Sequence, residues 1–554
     1  MKNLFGAGLP GAATGGMAAL LLSGAAFAAP PPPPGTITAA ELQATVTFLA
    51  DDLLEGRQIG RRGHAIAMRY VASQFAAMGL EPAGTQGFYQ PISFEERSFA
   101  SERETLTLTR DGKTSVFVNG VDLSVGPGNV VGAETISAPL VFVGFGLASK
   151  ELGIDDYAGL DVRGKIVVAL AGAPNSLNSE VAAHLARVKT GEAAALGAVG
   201  MITVRTIAQA TRGPWSKAAS TARLPRRNFI NPDGSTGGDA GSLKFSANVD
   251  DAAAAQLFAG SAMSFVAVQA AAETGAPHGF ALTGTVKLDR SNAVTTITSA
   301  NLLARLRGSD PALTDQLVLL SAHLDHLGMR TGEGDTIYNG ALDNAAGVAT
   351  LLAVARSFAA EKKRPKRSLL FLVTTGEEGG LMGSSYFARY PTVGIERIVS
   401  EVNIDMPILT CDFADVIAYG ANRSTMGPLV AAAAKKQGLT MSPDPQPVEA
   451  LFTRSDHYPL VRAGIPAVFL KTGWRDTQGG MTCRDAETLF RRTHYHEPSD
   501  DLSRPIDWNV AVKFARINAE ISRTIANAHD APRWYSGDYF GEVFAPAAPK
   551  AKRE

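Results

Sequence analysis

Cysteine is nearly absent: 554 residues carry only Cys411 and Cys483. They can form one disulfide closing a long loop, or stay as two buried thiols, and the sequence leaves both open. Net charge is nearly absent as well, −1 at pH 7, which removes the electrostatic case for nucleic acid or an anionic membrane as partner. The short basic run Lys362-Lys363-Arg364-Pro365-Lys366-Arg367 reads as a solvated connecting loop. No apolar run near the N-terminus reaches the ~20 residues of a spanning helix. Several catalytic signatures are missing too. His496-Glu497 lacks the second histidine of H-E-x-x-H, and no serine sits in G-x-S-x-G. Gly159 to Lys165 mimics a phosphate loop, but Ile166 stands where a Ser or Thr is needed.

What is there begins with an address. Lys2, the apolar Met17 to Leu22 and Ala26-Phe27-Ala28 form a signal-peptide pattern over residues 1–28. No Cys follows to carry a lipid, and the stiff run Pro30 to Pro34 lies in a linker over 29–40. The expectation is an exported protein, periplasmic or secreted, with no stable membrane insertion after cleavage. Apolar content of 45% and charged content of 19% are those of an ordinary globular chain, and its length exceeds one core.

Helical spacing of Leu42, Val46, Leu49 and Leu53, then of Ile66, Tyr70, Phe75 and Leu80, flanks a loop at Glu55 to Gly60. Alternating runs between Glu104 and Val131 predict strands. Two further strand-like runs, Leu140 to Gly146 and Lys165 to Leu170, open a middle unit. It holds two isolated histidines, His184 and His278, read as surface residues, and a weakly periodic stretch over 207–246. From Ala293 strands alternate with helices: strands at Gln316 to Ala322, Ser368 to Val373, Ile398 to Ile404 and Ile465 to Lys471, helices at Asn344 to Ala360, Ser384 to Tyr390 and Trp508 to Ala526. This alternation predicts an α/β fold, a mixed, mostly parallel sheet covered by helices on both faces. The predicted divisions are an N-terminal part over 41–130, an inserted unit over 131–292, a main domain over 293–530, and a tail over 531–554 whose end, from Pro546, is read as disordered.

The chemistry gathers at strand ends. His323-Leu324-Asp325 follows LVLLSA, Glu377-Glu378 follows SLLFLVTTG, and Asp405 follows IVSEVNI. Asp343 opens an apolar-periodic helix from a Gly/Asn-rich turn, and His496 lies in HEPSDD. The carboxyl edge of an α/β sheet is where such folds build sites. Two imidazoles and several carboxylates suffice for a pair of metal ions sharing a bridging carboxylate, and the pattern points to a metallohydrolase. Asp343 suits the bridge, with His323 and Asp405 for one ion and Glu378 and His496 for the other. Zinc accepts this donor mixture, and manganese or cobalt could replace it. Glu377 and Glu378 diverge as neighbours, so one can bind metal while the other serves as base. Asp325, on the same strand face as His323, can orient that ring through its second nitrogen. His494 is assigned to the loop, His326 lines the site without binding, and Asp456-His457 either approaches substrate or forms a turn.

The motifs Ser321-Ala322-His323-Leu324-Asp325, Tyr338 to Asn344, Thr375-Gly376-Glu377-Glu378, Asn403-Ile404-Asp405-Met406 and His496-Glu497-Pro498-Ser499-Asp500 resemble the M28 family of zinc peptidases. Phe48 to Asp52 and Glu55-Gly56-Arg57 resemble its leading segment, and Asp156 to Lys165 resembles its inserted protease-associated (PA) domain. The resemblance implies a zinc exopeptidase fold with a mainly-β PA-like insert and two Zn²⁺. His323 and Asp405 would hold one ion, Glu378 and His496 the other, with Asp343 bridging and Glu377 as base. It further implies a peptide substrate and, most simply, an aminopeptidase. A carboxypeptidase or dipeptidase would need cations for a substrate carboxylate, with Arg454, Arg475 and Arg484 as sources. A glutaminyl-cyclase-like transferase and a receptor-like binding protein are the remaining alternatives. Oligomeric state has no signal in the sequence.

Overall fold

A computed structural model describes residue 33 and residues 35–238, 241–275 and 277–553. The signal-like segment and most of the proline run lie outside the described residues.

Four strands, buried almost throughout, form the centre of the molecule. Leu317–His323, Ser368–Thr374, Ile398–Ile404 and Ala467–Thr472 are mostly apolar, as strands covered on both faces are. The first pairs in parallel with the second and third, and the third with the fourth. Asp415–Tyr419 joins antiparallel at one side, and Thr440–Ser442 adds to it in parallel. On the other side Ser368–Thr374 meets the far half of Phe280–Leu306, antiparallel, and Tyr89–Phe99 continues from there. The fold is α/β with a mixed, mostly parallel central sheet.

Helices cover it. Ala346–Ala359 buries twelve of its residues, small Ala and Gly on the crowded sides and Leu351, Leu352, Val354 and Phe358 into the core. Trp508–Asn527 and Ala39–Leu49 pack against it. The helix expected from Asn344 begins at Ala346, because a wide turn at Ala341–Ala345 precedes it.

The 27-residue strand Phe280–Leu306 belongs to two sheets. Its first half pairs with Gly132–Phe142 and Thr105–Arg110. Beyond Gly132–Phe142 the parallel strands Ile166–Leu170, Gly200–Val204 and Phe245–Val249 extend this second sheet over an apolar core that also takes in Ile417, Tyr419 and Phe469 of the main domain. The expected junction at 292/293 therefore falls inside one continuous strand, and Thr105–Arg110, expected with the N-terminal part, pairs with the second sheet instead.

Two local expectations fail. His184 is buried, not a surface residue: it bonds the Tyr458 hydroxyl and sits among Tyr539, Phe540 and Phe544. The final segment, though mostly exposed from Pro546, folds back on the molecule: the chain at Ala551 bridges to Tyr535, next to the buried Trp534. The weakly periodic stretch over 207–246 includes the short helices Ile207–Arg212 and Trp215–Ser220 and the strand Arg226–Phe229. Cys411 and Cys483 form a disulfide with a Cα–Cα distance of 5.3 Å.

Candidate metal centre

Parallel pairing brings three strand ends to one edge. His323 is in register with Thr374, and Ser321 with Asn403. Glu377 and Glu378 therefore follow one strand end, Asp405 another, and His323 closes the third. The Asp343 turn is clipped onto this edge. Asn344 donates its amide to Ile404 O at 3.0 Å, and its Oδ1 accepts Met406 N–H at 3.1 Å. The Asp500 carboxylate accepts the N–H groups of Leu342 and Asp343 at 2.9 and 3.0 Å. The peptide between Asp343 and Asn344 is cis.

The side chains converge in two sets. His323 Nε2 lies 3.3 Å from Asp343 Oδ1 and 3.2 Å from Asp405 Oδ1. His496 Nε2 lies 3.3 Å from Asp343 Oδ2 and 3.1 Å from Glu378 Oε2. One carboxylate thus faces both sets, one oxygen to each. Donors held tetrahedrally about 2.0–2.1 Å from a zinc-sized ion stand about 3.3 Å apart, so these separations fit a divalent cation in each set. Among the described residues, groupings with ligand spacing include His323–Asp343–Asp405, His323–Glu377–Glu378 and His326–Asp343–Glu378.

The electrostatics agree. Burial pushes the Asp343 carboxyl up, but hydrogen bonds from His323 and His496 hold it well below its usual range. Burial and Asp343 likewise raise Glu378, yet His326 and His496 bring it down to about 2. Against burial, Asp343 and Glu378 lift His496 to about 10, and Asp405 and Glu377 lift His323 well above the ordinary imidazole value. Glu377 is pushed far up, first by burial and then by Asp405, Glu378 and Asp456, against His323. A buried cluster with this surplus of carboxylate demands positive charge between its members.

The five expected ligands are brought together, and Glu377 with them. Asp325 differs from expectation. His323 Nδ1 faces the Asp325 backbone carbonyl at 3.1 Å, while the Asp325 carboxylate accepts Glu377 N–H at 3.1 Å and Glu378 N–H at 3.3 Å. Its side chain turns toward the next strand's loop and orients the two glutamates, and it does not touch the ring. His326 is closer to the chemistry than expected, with Nδ1 2.6 Å from Glu378 Oε1. His494 bonds Ser499 and Arg504, in the loop as expected. Asp456 and His457 are fully buried behind the site, bonded to Thr374 and Phe452. Ser455 donates to Asp405 Oδ2 at 2.5 Å and accepts from Asn403 at 2.7 Å, fixing that carboxylate's second oxygen.

His496 is the exposed member, its side chain 34% accessible, with the Tyr495 ring stacked at 3.8 Å. In front lies a small cavity lined by Glu377, Met406, Leu451, Phe469, Arg454 and Arg491, among others. Of the three expected arginines only Arg454 reaches it. Arg475 contacts Thr440 and Asp415, and Arg484 contacts Asp485. Arg491 was not singled out in the sequence, and its helical position one turn from Glu487 gave no reason to do so.

Residues 301–522 match the model of peptidase family M28. Over this segment the chain is similar to the M28 peptidases. The segment contains every site residue named above from His323 to His496. The vacuolar membrane protease of Lodderomyces elongisporus is 34% identical over 93 residues, 17% of this chain and 9% of that one. A probable zinc metalloprotease of Pyrenophora tritici-repentis is 30% identical over 118 residues, 21% and 26% of the two chains. The matched part is thus a minor share of these curated relatives. The aminopeptidase from Aneurinibacillus sp. strain AM-1 superposes with a TM-score of 0.50 at 22% identity, over 94% of this chain and 98% of that one. That likeness extends the shared fold beyond the M28-matched segment to nearly the whole chain. Among the described residues no helix is long and apolar enough to cross a membrane.

Proposed function

We propose that the protein is an exported, dinuclear zinc aminopeptidase. The observation that carries this is the Asp343 carboxylate, whose two oxygens each face a separate histidine–carboxylate pair. In this reading His323 and Asp405 would hold one Zn²⁺ and Glu378 and His496 the other, with Asp343 shared between them and Mn²⁺ or Co²⁺ as substitutes. Bound zinc would polarise the scissile carbonyl and make a water nucleophilic at neutral pH. Glu377 lines the cavity, so it is placed to take the water's proton and return it to the departing amine. Asp325 acts through the backbone of Glu377 and Glu378, holding both carboxylates at their angles. Met406, Leu451 and Phe469 offer an apolar wall to the substrate's terminal side chain. In this reading the 131–292 unit is the PA-like insert.

A second reading, carboxypeptidase or dipeptidase, draws on Arg454 and Arg491 at the cavity. Both have acidic neighbours, Arg491 with Glu487 at 2.9 Å and Arg454 with Glu449 at 3.4 Å, which weakens their claim on a substrate carboxylate.

The deciding assay sets free-amine aminoacyl substrates beside N-blocked peptides, each with and without chelator. Chelator-sensitive cleavage of the free-amine set alone supports the aminopeptidase. Cleavage confined to N-blocked peptides transfers the protein to the second reading, and inactivity on both with metal bound refutes the peptidase reading.

A further inference from the structure

Arg57 lies outside the M28-matched segment, on the short turn Asp52–Arg57 between two N-terminal helices. It is 1% exposed and its guanidinium is spent on backbone carbonyls. Nε donates to Leu324 O at 2.8 Å, Nη1 to Asn339 O at 2.6 Å and also to Leu49 O, and Nη2 to Gly340 O at 3.0 Å. Its own carbonyl accepts the His326 N–H at 3.3 Å.

These partners are not scattered. Leu324 sits between His323 and Asp325. Asn339 and Gly340 begin the turn that delivers Asp343, and His326 bonds Glu378. One planar fork therefore joins the strand end bearing one candidate ligand to the turn bearing the bridging one. The chain adopts an uncommon conformation to put it there. Glu55, Gly56 and Arg57 are consecutively left-handed, with φ of 51°, 64° and 48°, which non-glycine residues hold only when their surroundings impose it. Gly56 cannot be replaced, since a Cβ would stand 2.5 Å from both Gly328 O and Tyr338 O. The guanidinium also answers charge: Asp500, Asp325, Asp343 and Glu378 are its electrostatic neighbours. It does not line the cavity, so its influence on bound ions runs through the segments it holds.

We propose that Arg57 is a positioning residue of the metal centre: its hydrogen bonds fix the His323 strand end against the Asp343 turn and preset both for a pair of divalent cations. This rests on the reading of the cluster as a dinuclear site. Lysine cannot substitute, because a single ammonium does not reproduce the fork that spans four carbonyls.

The test is cobalt(II) titration of the full chain, following the visible d–d absorption, for wild type, Arg57→Lys and Arg57→Ala. Far-ultraviolet circular dichroism confirms each variant's fold. Cobalt affinity should fall roughly 10–100-fold in both variants, as for other groups that orient ligands, with an altered band shape. Low-millimolar guanidinium should restore affinity and band shape in Arg57→Ala, where it can enter the vacated site, and leave Arg57→Lys weakened. If Arg57→Ala does not fold, Arg57→Lys decides the matter through affinity and spectrum. A folded variant with wild-type affinity and spectrum overturns the proposal, and so does an Arg57→Ala defect that guanidinium leaves unchanged. Wild-type protein that takes up no cobalt overturns the dinuclear reading and this proposal with it.

Discussion

Removing the Cys411–Cys483 bond should cost both stability and metal affinity. The bond closes a loop across a sequence separation of 72. The chain-entropy relation, −2.1 − 1.5R ln n cal/mol/K, then gives about 4.4 kcal/mol at 25 °C as the constraint on the unfolded chain. The loop so closed begins six residues beyond Asp405, and Cys483 lies in the helix Thr482–Thr493 that leads to His496. The bond therefore ties the segment carrying a ligand of one set to that carrying a ligand of the other. Cys411→Ala, Cys483→Ala and the double variant should each lose the same amount, up to about 4 kcal/mol, because either single change removes the whole bond. Urea unfolding followed by tryptophan fluorescence is the assay. Trp474 donates to Glu487 on that helix at 2.9 Å and reports on it directly. Competition with a chromophoric chelator measures zinc. Losses that add between the two single variants would refute the reasoning, as would a double variant within ~1 kcal/mol of wild type.

Glu377→Gln should retain zinc, since the two ligand sets close without it, while turnover falls roughly 10²–10⁴-fold; metal analysis beside kcat checks both, and an intact rate removes Glu377 from the mechanism. Asp343→Asn should weaken both ions, whereas His496→Ala should weaken chiefly one; zinc content after gel filtration distinguishes them, and one full ion remaining in Asp343→Asn would contradict the bridge. Lys189 is buried in the second sheet's unit, bonding Leu170 O at 2.7 Å, and burial takes its ammonium down to about 8 with Asp156 only partly opposing. Between pH 8 and the ordinary lysine value the unfolded chain binds the extra proton, so stability should rise with pH there. The rise should be on the order of 3 kcal/mol relative to Lys189→Met, and parallel pH profiles for the two proteins would refute it.

The candidate ligands were readable because each ends an apolar run or opens a helix, and parallel pairing then has little freedom about where they meet. For Asp325 the strand-face argument fails because the chain leaves the strand: after His323 the carboxylate follows the loop toward Glu377. Arg57 carried no signal of its role, since its partners are backbone carbonyls, which every residue has. Local periodicity places His184 at the surface, because its partner Tyr458 is 274 residues away, a pairing that periodicity cannot report. Within the tail Trp534 and Phe540 are buried, with Tyr539, Phe544 and Ala545 packed beside them, and these anchors hold its first half. The strands from Thr105 were foreseen, but their sheet was not, because register across Phe280–Leu306 is decided by tertiary contact.

That long strand also governs how the chain can be rebuilt. Over residues 292–302 it is laddered to Tyr89–Phe99 without a break, straight across the boundary between the two sheets. There is no loop at which to cut, so the second unit is not a removable cassette. Any exchange must splice two paired strands and keep their parity, because a one-residue slip would turn every inward side chain outward from the splice onward.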